Sequence, residues 1–220
     1  MVTFVSESDR VSVPGWVTDL ASFRRWTDDE DFPETGRICY LNGEVWVDMS
    51  KEQLFSHVLV KTEIAGVIGQ LVKTTRAGRL FGDGVFLSNV DADIAVVPDA
   101  VFVSHAARQD RVRLLEGKKT GYVEMEGSPD MVLEVVSDSS VHKDMQQLRR
   151  DYWTAGIREY WLVDARKEPL VFDILYLTPK GYRSTPKKDG WIKSNAFDRS
   201  FRLTQRTGAD GDPEYTLEVR

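Results

Sequence analysis

The sequence predicts a mixed α/β (α+β) fold, a central β-sheet flanked by helices. Three observations carry that expectation. Short β-rich runs closed by turn residues recur along the chain, two longer segments have apolar residues at helical spacing, and no repeat, low-complexity tract or Pro/Gly/Ser linker divides the 220 residues. A chain of this length can bury one sizeable core.

The elements follow in order. Thr18 is a good N-cap for a short helix over Leu20 to Trp26. Arg37-Ile-Cys-Tyr-Leu and Glu44-Val-Trp-Val-Asp flank Asn42-Gly43, a two-residue hairpin signal because both turn positions need positive φ. Ser50 and Gln53 have the spacing of a capping box for a long helix, with Leu54, Val58, Val67, Ile68, Leu71 and Val72 on its apolar faces. Lys73 and Arg76 suit its last turn, and Gly78 is expected to stop it. Strands are predicted at Val85–Asn89, Asp93–Val103 and Pro129–Ser137, with residues 104–128 as a loop or hairpin excursion. A second helix is expected over Val141–Ala155, with Val141, Met145, Leu148 and Tyr152 as its buried stripe and Gly156 as its end. Strands at Glu159–Asp164 and Leu170–Leu177 precede a tail of short strands and turns from Gly181 onward.

Composition narrows the class. Apolar residues make up 41% and charged residues 29%, which excludes a disordered or fibrous chain. One cysteine, Cys39, excludes an internal disulfide framework and a cysteine zinc site. No apolar run approaches the ~18 residues of a membrane helix, and Met1 to Trp16 has no signal-peptide pattern, so a soluble cytoplasmic protein with no membrane partner is expected. A net charge of −6 argues against coating nucleic acid by charge alone. The charge is uneven: residues 1–50 carry four basic and ten acidic side chains, residues 180–206 eight and two. The acidic run Asp28–Glu34 reads as a solvated loop, and the basic stretch as a β-rich surface able to touch phosphates.

Acids inside apolar strands are the informative residues. Glu134 lies in Met131-Val-Leu-Glu-Val-Val136, apolar on both faces, where low dielectric disfavours its charge unless a cation or donor compensates. Asp99 lies in the same predicament beside Pro98, whose missing N–H suggests a strand edge or bulge. If the two converge, they make an oxygen-ligand site suited to Mg²⁺. Taken singly, each is better explained by alternation, as Asp173 is in its own apolar run; taken together, the two readings balance. Lys143, off the apolar stripe in the first turn of the second helix, is placed to bend back over the strand end, and Gln147 shares its face.

Pro129–Arg166, with EVVS, a helix and then AGIREYWLVD, resembles the Uma-two family of restriction-endonuclease-type proteins, within the PD-(D/E)XK nuclease-like superfamily. The NGEVWVDMS hairpin, the helix with His57, the VVPDAVFV strand and the tail fit the same resemblance. It implies a restriction-endonuclease-like mixed sheet with added β-hairpins towards both ends. The whole of 1–220 would then be one nuclease-like domain: an N-terminal extension (1–36), a core (37–176) and a β-rich C-terminal part (177–220). It implies phosphodiester hydrolysis in DNA, with Asp99, Glu134 and the Val135 carbonyl holding Mg²⁺ or Mn²⁺. Glu44 and His57 are implied as accessory residues, and a homodimer suits cutting both strands of a duplex. One position departs. Two residues after the strand acid stands Val136, and where the family places its lysine on the helix, four residues before Tyr152, stands Leu148. Lys143 and Gln147 are the nearest replacements. The alternative expectation is an inactive nuclease-like module that binds or scaffolds.

Overall fold

The computed structural model describes residues 11–118 and 121–220; residues 1–10 of the expected N-terminal extension lie outside them. Along the chain run α1 (Leu20–Thr27), β1 (Arg37–Leu41), β2 (Glu44–Asp48), α2 (Val60–Thr75), β3 (Gly78–Phe81), β4 (Phe86–Asn89), β5 (Ile94–Val96), β6 (Ala100–Ser104), α3 (His105–Asp110), β7 (Val112–Glu116), β8 (Tyr122–Gly127) and β9 (Met131–Val135). There follow α4 (Leu148–Thr154), β10 (Glu159–Asp164), β11 (Val171–Thr178), β12 (Gly181–Ser184), β13 (Lys187–Lys188), β14 (Trp191–Ser194), β15 (Arg199–Thr207) and β16 (Pro213–Val219). Wider π-type turns, Leu54–Leu59 and Lys143–Gln147, lead into α2 and α4.

The strands form three sheets. The central one has the order β12-β11-β10-β9-β6-β3, with β9 and β10 parallel and the other pairs antiparallel. A second, β2-β1-β5-β4-β8-β7, carries the Asn42-Gly43 hairpin, and Asn42 and Gly43 both have positive φ. The third, β13-β14-β15-β16, is the C-terminal part. One face of the central sheet packs through Val101, Val132, Val136 and Tyr160 against Leu41 and Leu87 of the second sheet and Leu148 and Tyr152 of α4. Its other face packs through Leu133, Val135 and Trp161 against Val60, Ile64 and Ile68 of α2 and Phe201 and Leu217 of the third sheet. α1 covers the outer face of the second sheet with Phe23 and Trp26.

Several local expectations change. The run 93–103 is not one strand: β5 belongs to the second sheet and β6 to the central one, so the chain crosses between sheets around Pro98, where the missing N–H interrupts any continuous ladder. α1 is capped by Asp19, not Thr18, in a capping box with Ser22. Ser50 makes no capping box with Gln53; it bonds Asp48 and Ser139 instead. The left-handed residue that ends α2 is Arg76, while Gly78 is already in β3, where a Cβ would stand 2.2 Å from the Val103 carbonyl oxygen. Residues 104–128 hold α3 and the β7–β8 hairpin. Met145 is 37% exposed and Asp144 is buried in its place. The π-type turn adds a residue, so Asp144, Leu148 and Tyr152 face the core. Among the described residues one helix, Leu54–Thr75, is long and apolar enough by composition to cross a membrane; its Val60, Ile64, Ile68 and Val72 lie against the central sheet.

Candidate active site at the end of the central sheet

β6 and β9 are antiparallel neighbours, paired Ala100↔Leu133 and Val101↔Val132. Extending that register by one residue sets Asp99 opposite Glu134, so the two acids from separate strands stand side by side at one sheet end. The Asp99 N–H donates to the Leu133 carbonyl (3.1 Å), and Asp99 Oδ2 accepts from the Val135 N–H (2.7 Å). The side chain thus serves as the acceptor for a backbone N–H of the neighbouring strand, beside the point where Pro98 interrupts the ladder.

Cations surround the Asp99 end. Arg37, at the start of β1, donates to Asp99 Oδ1 (3.1 Å), and Lys61 Nζ of α2 stands 3.6 Å away. His57 Nε2, from the π-type turn that leads into α2, is 3.5 Å from Asp99 Oδ2. Burial alone would raise the Asp99 pKa, but His57, Arg37 and Lys61 outweigh it and lower it to about 2.

The Glu134 end is of opposite character. Glu134 is buried, and its Oε1 accepts a 2.5 Å hydrogen bond from Tyr152 OH. Tyr152 is fixed in turn by edge-to-face packing on Tyr160 at 5.3 Å, and Tyr160 OH donates to the Asp144 carbonyl (2.7 Å). Burial, then the neighbouring charge of Asp144, push the Glu134 pKa well above the usual carboxylate range, against the opposing pull of Lys143. Lys143 bends inward: its Nζ lies 3.4 Å from Asp144 Oδ1, and its charge is felt at Glu134, Cys39 and Asp48. Burial would lower its pKa, but Glu134 and Asp144 raise it, so it remains an ammonium. Cys39 lies beneath, its thiol pushed up to about 11 by burial, so it stays protonated at neutral pH.

The structure therefore gathers Asp99, Glu134, Val135, His57 and Lys143 at one strand end. It does not gather Gln147, whose amide donates to Asp151 Oδ2 (2.9 Å), where Asn42 also binds. Nor does it gather Glu44, which is exposed beside the hairpin turn and whose side chain makes no hydrogen bond or ion pair among the described residues. Leu148 is fully buried in the core between the sheets. Arg37, Lys61, Glu52, Asp83 and Asp144 are site residues the sequence reading missed. Lys61 had a signal, since it follows His57 by four residues on the same helical face. Arg37 and Asp83 had none.

Among the described residues no group of three or more His, Cys, Asp or Glu side chains is arranged to hold a metal ion. The donor set of Asp99, Glu134 and the Val135 carbonyl nevertheless fits Mg²⁺-type binding, which takes one or two carboxylates and leaves other positions to water and phosphate. Two neighbouring acids, one of which resists ionising, are also a place where an added cation relieves repulsion.

A mixed central sheet flanked by helices and a second sheet is the architecture of a nuclease-type fold. The Uma2 family model, described as "Putative restriction endonuclease", matches residues 20–204, and the chain belongs to that family. Among solved structures, a protein described as a putative nuclease of DUF820 from Anabaena variabilis ATCC 29413 shares the fold with a TM-score of 0.58 at 18% identity, over 82% of this chain and 90% of that one. No curated protein matches the sequence.

Proposed function

We propose that the protein is a divalent-metal-dependent endonuclease that hydrolyses phosphodiester bonds in DNA. The observation that carries this is the meeting of Asp99 and Glu134 on adjoining strands with an inward-turned Lys143 beside them. Asp99, Glu134 and the Val135 carbonyl would hold Mg²⁺ or Mn²⁺, which supplies acidification of a water and neutralisation of phosphate charge. Arg37, His57 and Lys61 keep Asp99 ionised. Tyr152 fixes the Glu134 carboxyl. Lys143 presents a buried ammonium next to Glu134, where it can orient a water or a phosphate oxygen. The reading includes one domain, a cytoplasmic setting and a homodimer; exposed Leu54, Phe55 and Met49, close in sequence to the site residues Glu52 and His57, are apolar surface that a second copy could cover.

One observation favours the alternative of an inactive module that binds or scaffolds: the position of the family's usual helix lysine is filled by Leu148, and the core packing there leaves no room for an ammonium. A cleavage time course on supercoiled plasmid with Mg²⁺ or Mn²⁺ decides between the two. Wild type should cut, Glu134→Ala should not, and Lys143→Ala should cut more slowly than Gln147→Ala, because only the lysine faces Glu134. If wild type cuts no faster than Glu134→Ala, the enzyme reading fails and the binding module replaces it.

A further inference from the structure

The charges around Asp99 are layered by depth. Innermost is the Asp99 carboxylate, with a fully buried side chain. Over it lie Lys61, its side chain 10% exposed, and Arg37 at 26%. Outermost are Glu52 at 35% and Asp83 at 46%. Lys61 Nζ contacts both Glu52 oxygens (2.9 and 3.0 Å) and Asp83 Oδ2 (2.6 Å), and Arg37 contacts Glu52 and Asp83 (3.3 Å for the latter).

The outer pair contributes little to the core. Asp83 sits between Gly82 and Gly84 in an exposed turn, with open space at both glycines and positive φ at Gly84, a segment that can shift at small cost. Glu52 lies in the exposed connection between β2 and the helix that carries His57. Two exposed carboxylates from unrelated loops converge on two shielded cations beside the candidate catalytic acid. The charges balance accordingly. With both acids in place, the cluster of Arg37, Lys61, Glu52, Asp83 and Asp99 carries a net charge of −1. With the outer two moved aside, it carries +1, the complement of a phosphodiester. A carboxylate and a phosphate present similar paired oxygens to a guanidinium and an ammonium.

We propose that Arg37 and Lys61 form a seat for a backbone phosphate of nucleic acid, and that Glu52 and Asp83 occupy it as carboxylate stand-ins until the phosphate displaces them. The seat rests on the nucleic-acid reading for the identity of its anion but not on hydrolysis. Its consequence is regulatory as well as structural: the resting site is closed by its own acids, and only a ligand that brings its own negative charge opens it.

The test is binding in EDTA, so that no cleavage intervenes. Anisotropy of a short fluorescein-labelled DNA duplex is measured with wild type, with Glu52→Gln/Asp83→Asn, and with Asp28→Asn/Asp29→Asn, a pair on a different exposed loop that changes net charge equally. The Glu52/Asp83 pair should bind about tenfold tighter than wild type, and the control pair within about twofold of it. No gain in the first pair, or an equal gain in the control, overturns the proposal. Inorganic phosphate should raise the melting temperature of Glu52→Gln/Asp83→Asn more than that of wild type; if phosphate does so while duplex affinity is unchanged, the site takes free phosphate and the nucleic-acid seat is refuted. Should the double variant not fold, Glu52→Gln alone, with an expected gain of about threefold, is decisive in the same assay. A protein that gains binding but never cuts plasmid keeps the seat and loses the enzyme reading; one that cuts without the gain loses only the seat.

Discussion

Replacing Asp99 with Asn tests whether its carboxylate is held ionised by the cations around it. Asn keeps the size and one acceptor for the Val135 N–H, but it removes the charge that Arg37, Lys61 and His57 face. The Asp99 pKa lies at about 2 in the folded protein, against 3.8 for an unperturbed aspartate. Because the folded value is depressed, Asp99 contributes stability that is present above the unfolded pKa and lost as pH falls through the folded one. A shift of this size amounts to about 2 kcal/mol. The site is buried, so solvent screening takes little of it. Asp99→Asn should therefore lower unfolding stability by about 2 kcal/mol at neutral pH, a shift of about 1 M in the urea midpoint at an unchanged slope. The gap between the proteins should narrow as pH falls below about 5 and approach zero only near pH 1, below both pKa values. Urea titrations followed by circular dichroism in EDTA, repeated across that range, measure both quantities. A variant as stable as wild type at neutral pH, or a gap that does not narrow in acid, would refute the reasoning.

Glu134→Gln should leave the metal-free protein equally or more stable at about pH 8, since the stability tied to the raised Glu134 pKa is complete below the ordinary carboxylate range and lost as pH rises through the folded value. Thermal melts should also show that it no longer gains from Mg²⁺ or Mn²⁺; a large loss of metal-free stability would make Glu134 a structural partner instead. Leu148→Lys, which puts a lysine where the sequence resemblance implied one, should cost about 3 kcal/mol by burying an unpaired charge in the core between the sheets, read as a lowered denaturation midpoint. Gly78→Ala should cost about 2 kcal/mol because its Cβ would meet the Val103 carbonyl oxygen at 2.2 Å, separating β3 from β6; an unchanged midpoint would count against the tight β3–β6 approach.

Much of the architecture was legible because local chemistry dictates it. Asn42-Gly43 set the hairpin and its register, and the apolar run 131–136 was a buried strand. What sequence could not show was which sheet each strand joins. In Ile94–Val103 Pro98 signals an interruption of the ladder, but nothing local says that the two halves belong to different sheets. The site was half legible for the same reason. Asp99 and Glu134 stood out because each contradicts its strand, whereas Arg37 at a strand start, and Glu52 and Asp83 in connections, occupy places where charges are ordinary and gain meaning only when the sheets bring them together.

The helix after β9 shows how a small irregularity redirects chemistry. Ideal 3.6-residue spacing centres the buried stripe on Val141, Met145, Leu148 and Tyr152, leaves Asp144 at its flank and turns Lys143 away from it. The π-type turn over Lys143–Gln147 reverses this, placing Asp144 under Lys143 and beside Glu134 while leaving Leu148 and Tyr152 facing the sheet. Leu148 then serves the core, and the ammonium enters one turn earlier on the helix. On an unperturbed α-helix Lys143, five residues before Leu148, points away from the face that Leu148 buries. The π-type turn is therefore the feature that lets a sequence without the family's usual lysine keep a cation next to Glu134.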